Sequence, residues 1–166
     1  MSQWLRSLQL TQYTLKERAG AKMANDEQFT PDWVFDGLGV RFDLDVCSPK
    51  DHVTAVPADR KYTIEDDGLA QDWSGFVWMN PPYSNSTLWI DKFIGHSNGI
   101  CLTQISKSKW FQKLWDASDA MMLLPYNMKF VLPDGKLNPI YMPTMISGIG
   151  SRAVEAINNL NITRVR

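Results

Sequence analysis

Cysteine occurs only twice in the 166 residues, as Cys47 and Cys101, and histidine only twice, as His52 and His96. Two thiols are too few for a disulfide framework or a zinc cage, and they suit a reducing cytoplasm. The histidines share no metal-ligand spacing with each other or with the cysteines, so no metal is expected. No run of about 18 apolar residues is present, which argues against a membrane-spanning helix and a membrane partner. The first residues do not show the charged-then-apolar order of a secretory signal. Excess charge is missing as well: 17 Lys and Arg face 18 Asp and Glu, a net of −1. Any nucleic-acid binding must therefore come from a local patch. A glycine-rich phosphate loop is also absent. What remains, 44% hydrophobic and 21% charged, fits one globular domain with a single core.

Residues 1–28 form a polar, basic-leaning leader with Lys16, Arg18 and Lys22, and residues 29–166 form the domain. Thr30-Pro31 places a capping residue before a proline at the first helical position. Trp33, Val34 and Leu38 follow at helical spacing, and Gly39 ends the helix. Arg41–Cys47 alternates and stops at Ser48-Pro49, which predicts a strand; Lys50–Ser74 is predicted irregular. Short apolar runs at Phe76–Met79, Ile100–Leu102 and Met121–Leu124 predict further strands. The helical patterns Leu88–Ile94 and Trp110–Trp115 lie between them, and Tyr141–Ile149 and Arg152–Asn159 add a strand and a helix. Strands alternating with helices indicate a single α/β domain with a mostly parallel sheet. Ligands of such sheets collect outside the carboxyl ends of the strands. That rule selects Asp45–Pro49, Asn80–Ser84 and the residues after Leu102.

Asn80-Pro81-Pro82-Tyr83 closes the Phe76–Met79 run. Two adjacent prolines donate no backbone hydrogen bond and fix φ near about −65°, so the strand must end in a rigid turn. The Asn80 side-chain oxygen and the Pro81 carbonyl are two acceptors suited to one planar amine, with the Tyr83 ring beside them. An exocyclic amine is a poor nucleophile because its lone pair is delocalised into the ring. Two accepted hydrogen bonds favour a tetrahedral, electron-rich nitrogen and stabilise the charge that develops as it attacks. Stacking on Tyr83 adds about 1–3 kcal/mol of hold on a base.

This turn resembles the catalytic motif of amino-methyltransferases that use S-adenosylmethionine. The wider order is Phe29-Thr30-Pro31, Trp33-Val34-Phe35, Phe42–Cys47, Asp66–Leu69, Asp72-Trp73, Asn80–Ser84, Trp110-Phe111 and Met128-Lys129-Phe130. In that order the chain is similar to the phage Dam-type DNA N6-adenine methyltransferases, from about Phe29 to Gly150. The resemblance implies a Rossmann-like domain, S-adenosylmethionine as cofactor, DNA as partner, and the host cytoplasm as location if the chain is phage-encoded. It implies that Asn80, Pro81, Pro82 and Tyr83 are catalytic. It also implies that Phe29, Thr30 and Asp45 hold the methionine end of the cofactor. Asp67, Gly68 and Leu69 are then the adenine-binding segment, with Asp66 competing for the same role. Asp66-Asp67-Gly68 is also an ordinary turn sequence. Asp51, Asp59 and Glu65 all compete for the ribose.

Ser106, Lys107 and Lys109 follow a predicted strand and lead into a helix, with Lys113 one turn along the same face. Hydroxyls, lysines and a helix N-terminus are phosphate partners, so these four form the expected nucleic-acid contact. Arg152, Arg164 and Arg166 are candidates to extend it. A stacked base cannot offer its amine to Asn80, so the base must flip out. Cys47 lacks a basic partner, which argues against a covalent C5 mechanism. Two other readings stand beside adenine N6 methylation. One is a non-catalytic nucleic-acid-binding protein of the same fold; the other is transfer to another planar amine, such as cytosine N4, RNA adenine or protein glutamine.

Overall fold

Alternation along the buried strands decides which helix layer each residue faces. A computed structural model describes residues 28–160. Nearly all of the expected leader, with Lys16, Arg18 and Lys22, and the tail with Arg164 and Arg166 lie outside the described residues. Helix α1 (Asp32–Leu38) is followed by β1 (Phe42–Asp45), β2 (Ala58–Lys61) and β3 (Val77–Met79). A 3-10 turn (Tyr83–Asn85) leads into α2 (Ser86–His96), β4 (Gly99–Gln104), α3 (Lys109–Ala117) and β5 (Ala120–Leu123). The chain then forms β6 (Lys129–Val131), β7 (Leu137–Pro139), β8 (Thr144–Ile149) and α4 (Ser151–Asn159).

Six strands form one sheet in the order β2-β1-β3-β4-β8-β5. β2, β1, β3 and β4 pair in parallel, and β8 runs antiparallel to both β4 and β5. Trp78, Ile100, Leu102 and Ile146 face a core that includes Val34, Phe35 and Leu38 of α1 and Ala153, Ala156 and Ile157 of α4. Val77, Met79 and Cys101 point the other way, onto Trp89, Ile90 and Phe93 of α2 and Leu114 of α3. The molecule is thus an α/β sandwich of helix, sheet and helix layers, as expected from the sequence. Among the described residues no helix is long and apolar enough to cross a membrane.

Three expectations need correction. Thr30 does not cap α1: Pro31 occupies the N-cap position and no side chain caps there, while the Asp32 carboxylate accepts from the Trp33 N–H at 2.9 Å. The irregular stretch 50–74 contains β2, a polar edge strand (Ala-Asp-Arg-Lys) with no apolar signal to mark it. The antiparallel pair β6–β7 was not expected either, since its six residues alternate too briefly to stand out. Gly39 does end α1, with φ +62° and its N–H on the Phe35 carbonyl.

Candidate active site

Chain order reverses across β1: β2 lies on one side of it and β3 on the other. A switch of this kind opens a crevice outside the carboxyl ends of the two strands that part there. A cavity of about 310 Å³ occupies that position. Asp45, Cys47 and Ser48 from the end of β1 line it, as do Asn80, Pro82 and Ser84 from the end of β3. Gln28, Phe29 and Thr30 cross it from the segment that precedes α1.

Register explains why the key side chains meet. Asp45 pairs with Trp78 across the β1–β3 ladder, so both lie on the α1 face of the sheet, and Asn80 returns to that face two residues on. The Asn80 side-chain N–H donates to the Gln28 carbonyl at 2.9 Å and to the Thr30 hydroxyl at 3.4 Å. A carbonyl only accepts, so the nitrogen of the amide must face Gln28 and the oxygen must face away from it. This orientation makes Asn80 a hydrogen-bond acceptor toward a ligand. The bracing segment is itself anchored: Phe29 and Val131 of β6 exchange both backbone hydrogen bonds, at 2.8 and 2.9 Å.

Asp45 is only 4% exposed, and burial raises its carboxyl pKa to about 7. Hydrogen bonds from the Cys47 N–H and from Ser48, and the Lys61 charge, only partly offset that burial. A carboxylate held this way is poised to gain from a cation brought into the cavity. Burial also pushes the Cys47 thiol upward, with the Asp45 charge adding to the effect, and burial does the same to Cys101. Both cysteines therefore stay protonated at neutral pH, the wrong state for a nucleophile.

The structure thus brings together Phe29, Thr30, Asp45, Asn80 and Pro82 around one cavity, with Pro81 and Tyr83 in the same turn. Asp67, Gly68 and Leu69 do not line it; Thr63 and Ile64 of the same connection do. Asp66 folds back to accept from the Thr63 N–H and hydroxyl at 2.8 and 2.9 Å, which holds its carboxyl below its usual range. A Cβ on Gly68 would stand 2.2 Å from the Val46 carbonyl oxygen, so the close approach this glycine permits is to the end of β1. The Lys92 ammonium of α2 binds the carbonyls of Gly68, Leu69 and Gln71 and sits 5.0 Å over the Trp73 ring, which fixes this connection in place. Gln28, Thr63, Ile64 and Lys92 carried no local signal in the sequence, and Ser48 stood out only as part of the strand-end segment Asp45–Pro49. Their roles come from pairings such as Ser48 N–H to the Tyr62 carbonyl, 2.8 Å, between segments far apart in the chain.

Ser106, Lys107 and Lys109 lie just past β4, beside the Asn80 turn on the same carboxyl edge, with both lysines exposed. The Ser106 hydroxyl bonds the Ser108 N–H and hydroxyl and shapes the entry to α3. Lys113 is turned away, its ammonium 2.7 Å from the Asp91 carboxylate on α2. Arg152 does not extend this edge. It donates to the Arg41 carbonyl and stacks on Phe76, at the amino ends of β1 and β3. Among the described residues no three His, Cys, Asp or Glu side chains gather as a metal site.

Residues 19–138 match the family described as DNA N-6-adenine-methyltransferase (Dam). A DNA N-6-adenine-methyltransferase of Haemophilus phage HP1 is 36% identical over 101 residues, covering 54% of this chain and 57% of the relative. The chain thus spans little more than half the length of that curated relative. No solved structure matches.

Proposed function

The chain belongs to the DNA N-6-adenine-methyltransferase (Dam) family, and from that premise we propose that it moves a methyl group from S-adenosylmethionine to N6 of adenine in DNA, on a Rossmann-like domain. The observation that carries this reading is the braced Asn80 amide, its oxygen turned from the Gln28 carbonyl, on a cavity that also holds the buried Asp45. The phage relative's name points to the same reaction.

The cavity suits the methyl donor. Its volume of about 310 Å³ falls at the small end of ligand pockets, and a buried carboxylate answers the ammonium and sulfonium charges. S-adenosylmethionine supplies a methyl group on a positively charged sulfur, ready for displacement. Phe29, Thr30 and Asp45 hold its methionine end. Asp67, Gly68 and Leu69 serve the adenine end by packing the connection against the end of β1, while Asp66 holds Thr63 of the cavity wall. Lys107, Lys109 and the Ser106 hydroxyl take DNA phosphates; Lys113 joins them by exchanging its Asp91 partner.

The target adenine flips out of the duplex, at a cost of a few kcal/mol, and stacks on Tyr83. Its amine donates to the Asn80 oxygen and the Pro81 carbonyl. Both acceptors are neutral and fixed beforehand, so they stabilise positive charge on the nitrogen as it attacks, with little reorganisation. Pro82 keeps the turn rigid, and the proton leaves after the bond has formed. Transfer is a direct, in-line displacement governed by positioning.

Incubation with methyl-labelled S-adenosylmethionine and unmethylated DNA, followed by mass analysis of the digested nucleosides, tests this. The expected product is N6-methyladenine. Methylated cytosine, or methylation of RNA or protein alone, would overturn the assigned acceptor. DNA binding with no product and no cofactor binding would mark a non-catalytic binder.

A further inference from the structure

The carboxyl edge of the sheet has two unlike halves, which part at the Asn80 turn. On the β1–β2 side, connections 46–57 and 62–76 carry the exposed acids Asp51, Glu65, Asp66 and Asp67. Their one lysine, Lys50, is paired with Glu65 at 2.6 Å. On the other side, residues 105–109, 124–129 and 140–143 flank the ends of β4, β5 and β8. These three segments contain no Asp or Glu, in a chain that has 18. They lie side by side: the Ile105 N–H donates to the Pro143 carbonyl and the Leu124 N–H to the Thr144 carbonyl, both at 2.9 Å. Lys107 and Lys109 are exposed, and no carboxylate among the described residues pairs with either. Two tyrosines stand out from the same surface, Tyr126 at 97% exposure and Tyr141 at 100%. The backbone under Tyr141 is braced, because Ile140 packs on the core and the Thr144 hydroxyl donates to the Met142 carbonyl at 3.3 Å. Bare aromatic rings on a fixed mount, set among cations, mark a binding surface.

We propose that the DNA duplex extends from the site to one side: from the target adenine at Asn80 it lies across the ends of β4, β8 and β5, where Tyr141 and Tyr126 contact it, and away from the acidic ends of β1 and β2. This rests on the reading of Asn80 as the DNA-adenine site. Exposed carboxylates repel a polyanion, and the acid-free half with its unpaired lysines attracts it. Three strand spacings separate β3 from β5, about 14 Å, which spans about four base pairs. Tyrosines serve such a contact by donating to phosphate oxygens and packing on sugars. A second copy docked here about a two-fold axis would set the same lysines against one another, so the charge favours DNA as the occupant.

The test uses the full chain and duplexes built around a site that the unaltered chain methylates, each cut short beyond the site on one side or the other. Cutting one side is expected to lower methyl transfer at least about tenfold, through lost phosphate contacts, and cutting the other to leave it within about threefold. Tyr141→Ala is expected to lower transfer about tenfold on the intact duplex, the loss of one hydrogen bond to a charged group. On the duplex already cut on the sensitive side, the same substitution is expected to cost less than about threefold, since its contact is gone. Its melting temperature and S-adenosylhomocysteine affinity are expected to match the unaltered chain, because the ring is fully exposed. Equal losses from the two sides, or the same Tyr141→Ala loss on every duplex, would overturn the proposal. So would a Tyr141→Ala chain that sediments as a smaller species than the unaltered chain, which would make this edge a contact between copies. If the unaltered chain methylates no DNA, the reading of the site itself falls; methylation with equal losses from the two sides would overturn the one-sided footprint alone.

Discussion

Asp45 shows how a single side chain is held at a cost to the fold. A carboxyl pushed from an ordinary 3.8 to about 7 binds its proton more tightly in the folded chain than in the unfolded one. The contribution of this group to stability therefore falls as pH rises from about 4 to about 7 and is level above that, with a cost on the order of 4 kcal/mol. Asp45→Asn is expected to abolish most of this slope and to make the unliganded chain more stable at pH 8 than the native one. It is also expected to weaken S-adenosylhomocysteine binding. Denaturant titrations at pH 5 and pH 8, with ligand titration at pH 8, check both; a variant no more stable than the native chain at pH 8 would contradict the account. At this scale the sequence was legible where the chemistry is local. Asn80-Pro81-Pro82-Tyr83 announces a rigid acceptor turn by itself, and Asp45 stands at a visible strand end. Gln28 was illegible, because nothing within its neighbourhood reveals that its carbonyl meets a residue 52 positions away.

Elements were readable in proportion to how much apolar surface they bury. β3 and β8 are buried throughout and β4 in all but its last residue, Gln104, and all three show in the sequence, whereas β2 is a polar edge strand and was lost in a long connection. The connection from β2 to β3 then illustrates how one element shapes another. Gly68 packs without a side chain against the Val46 carbonyl and the Trp89 ring, while Lys92 ties the same turn to α2. Gly68→Ala would place a carbon 2.2 Å from a backbone oxygen that cannot retreat without moving the end of β1. It is expected to cost about 1–3 kcal/mol of stability and to weaken cofactor binding together with it. Thermal unfolding and ligand titration on the same preparation check the pair. A Gly68→Ala chain of native stability would show that the β1 end is not clamped as described.

The whole molecule places the site by topology. The strand-to-helix rhythm indicates a mostly parallel sheet, but it does not show that β2 and β3 flank β1, nor that β8 enters antiparallel between β4 and β5. Those pairings join segments distant in sequence, and they create both the crevice beside β1 and the edge that carries Asn80 and Lys107. The basic contact expected from Arg152 failed for the same reason: α4 delivers it to the opposite edge of the sheet. The central claim, that chemistry occurs at the Asn80 oxygen on this crevice, is tested most directly by Asn80→Ala. Methyl transfer to DNA and S-adenosylhomocysteine affinity would be measured side by side with the unaltered chain. The expected result is a fall in transfer of at least about 100-fold, the usual size for losing a preorganised transition-state contact, with ligand affinity within threefold. Transfer at the native rate would contradict the account.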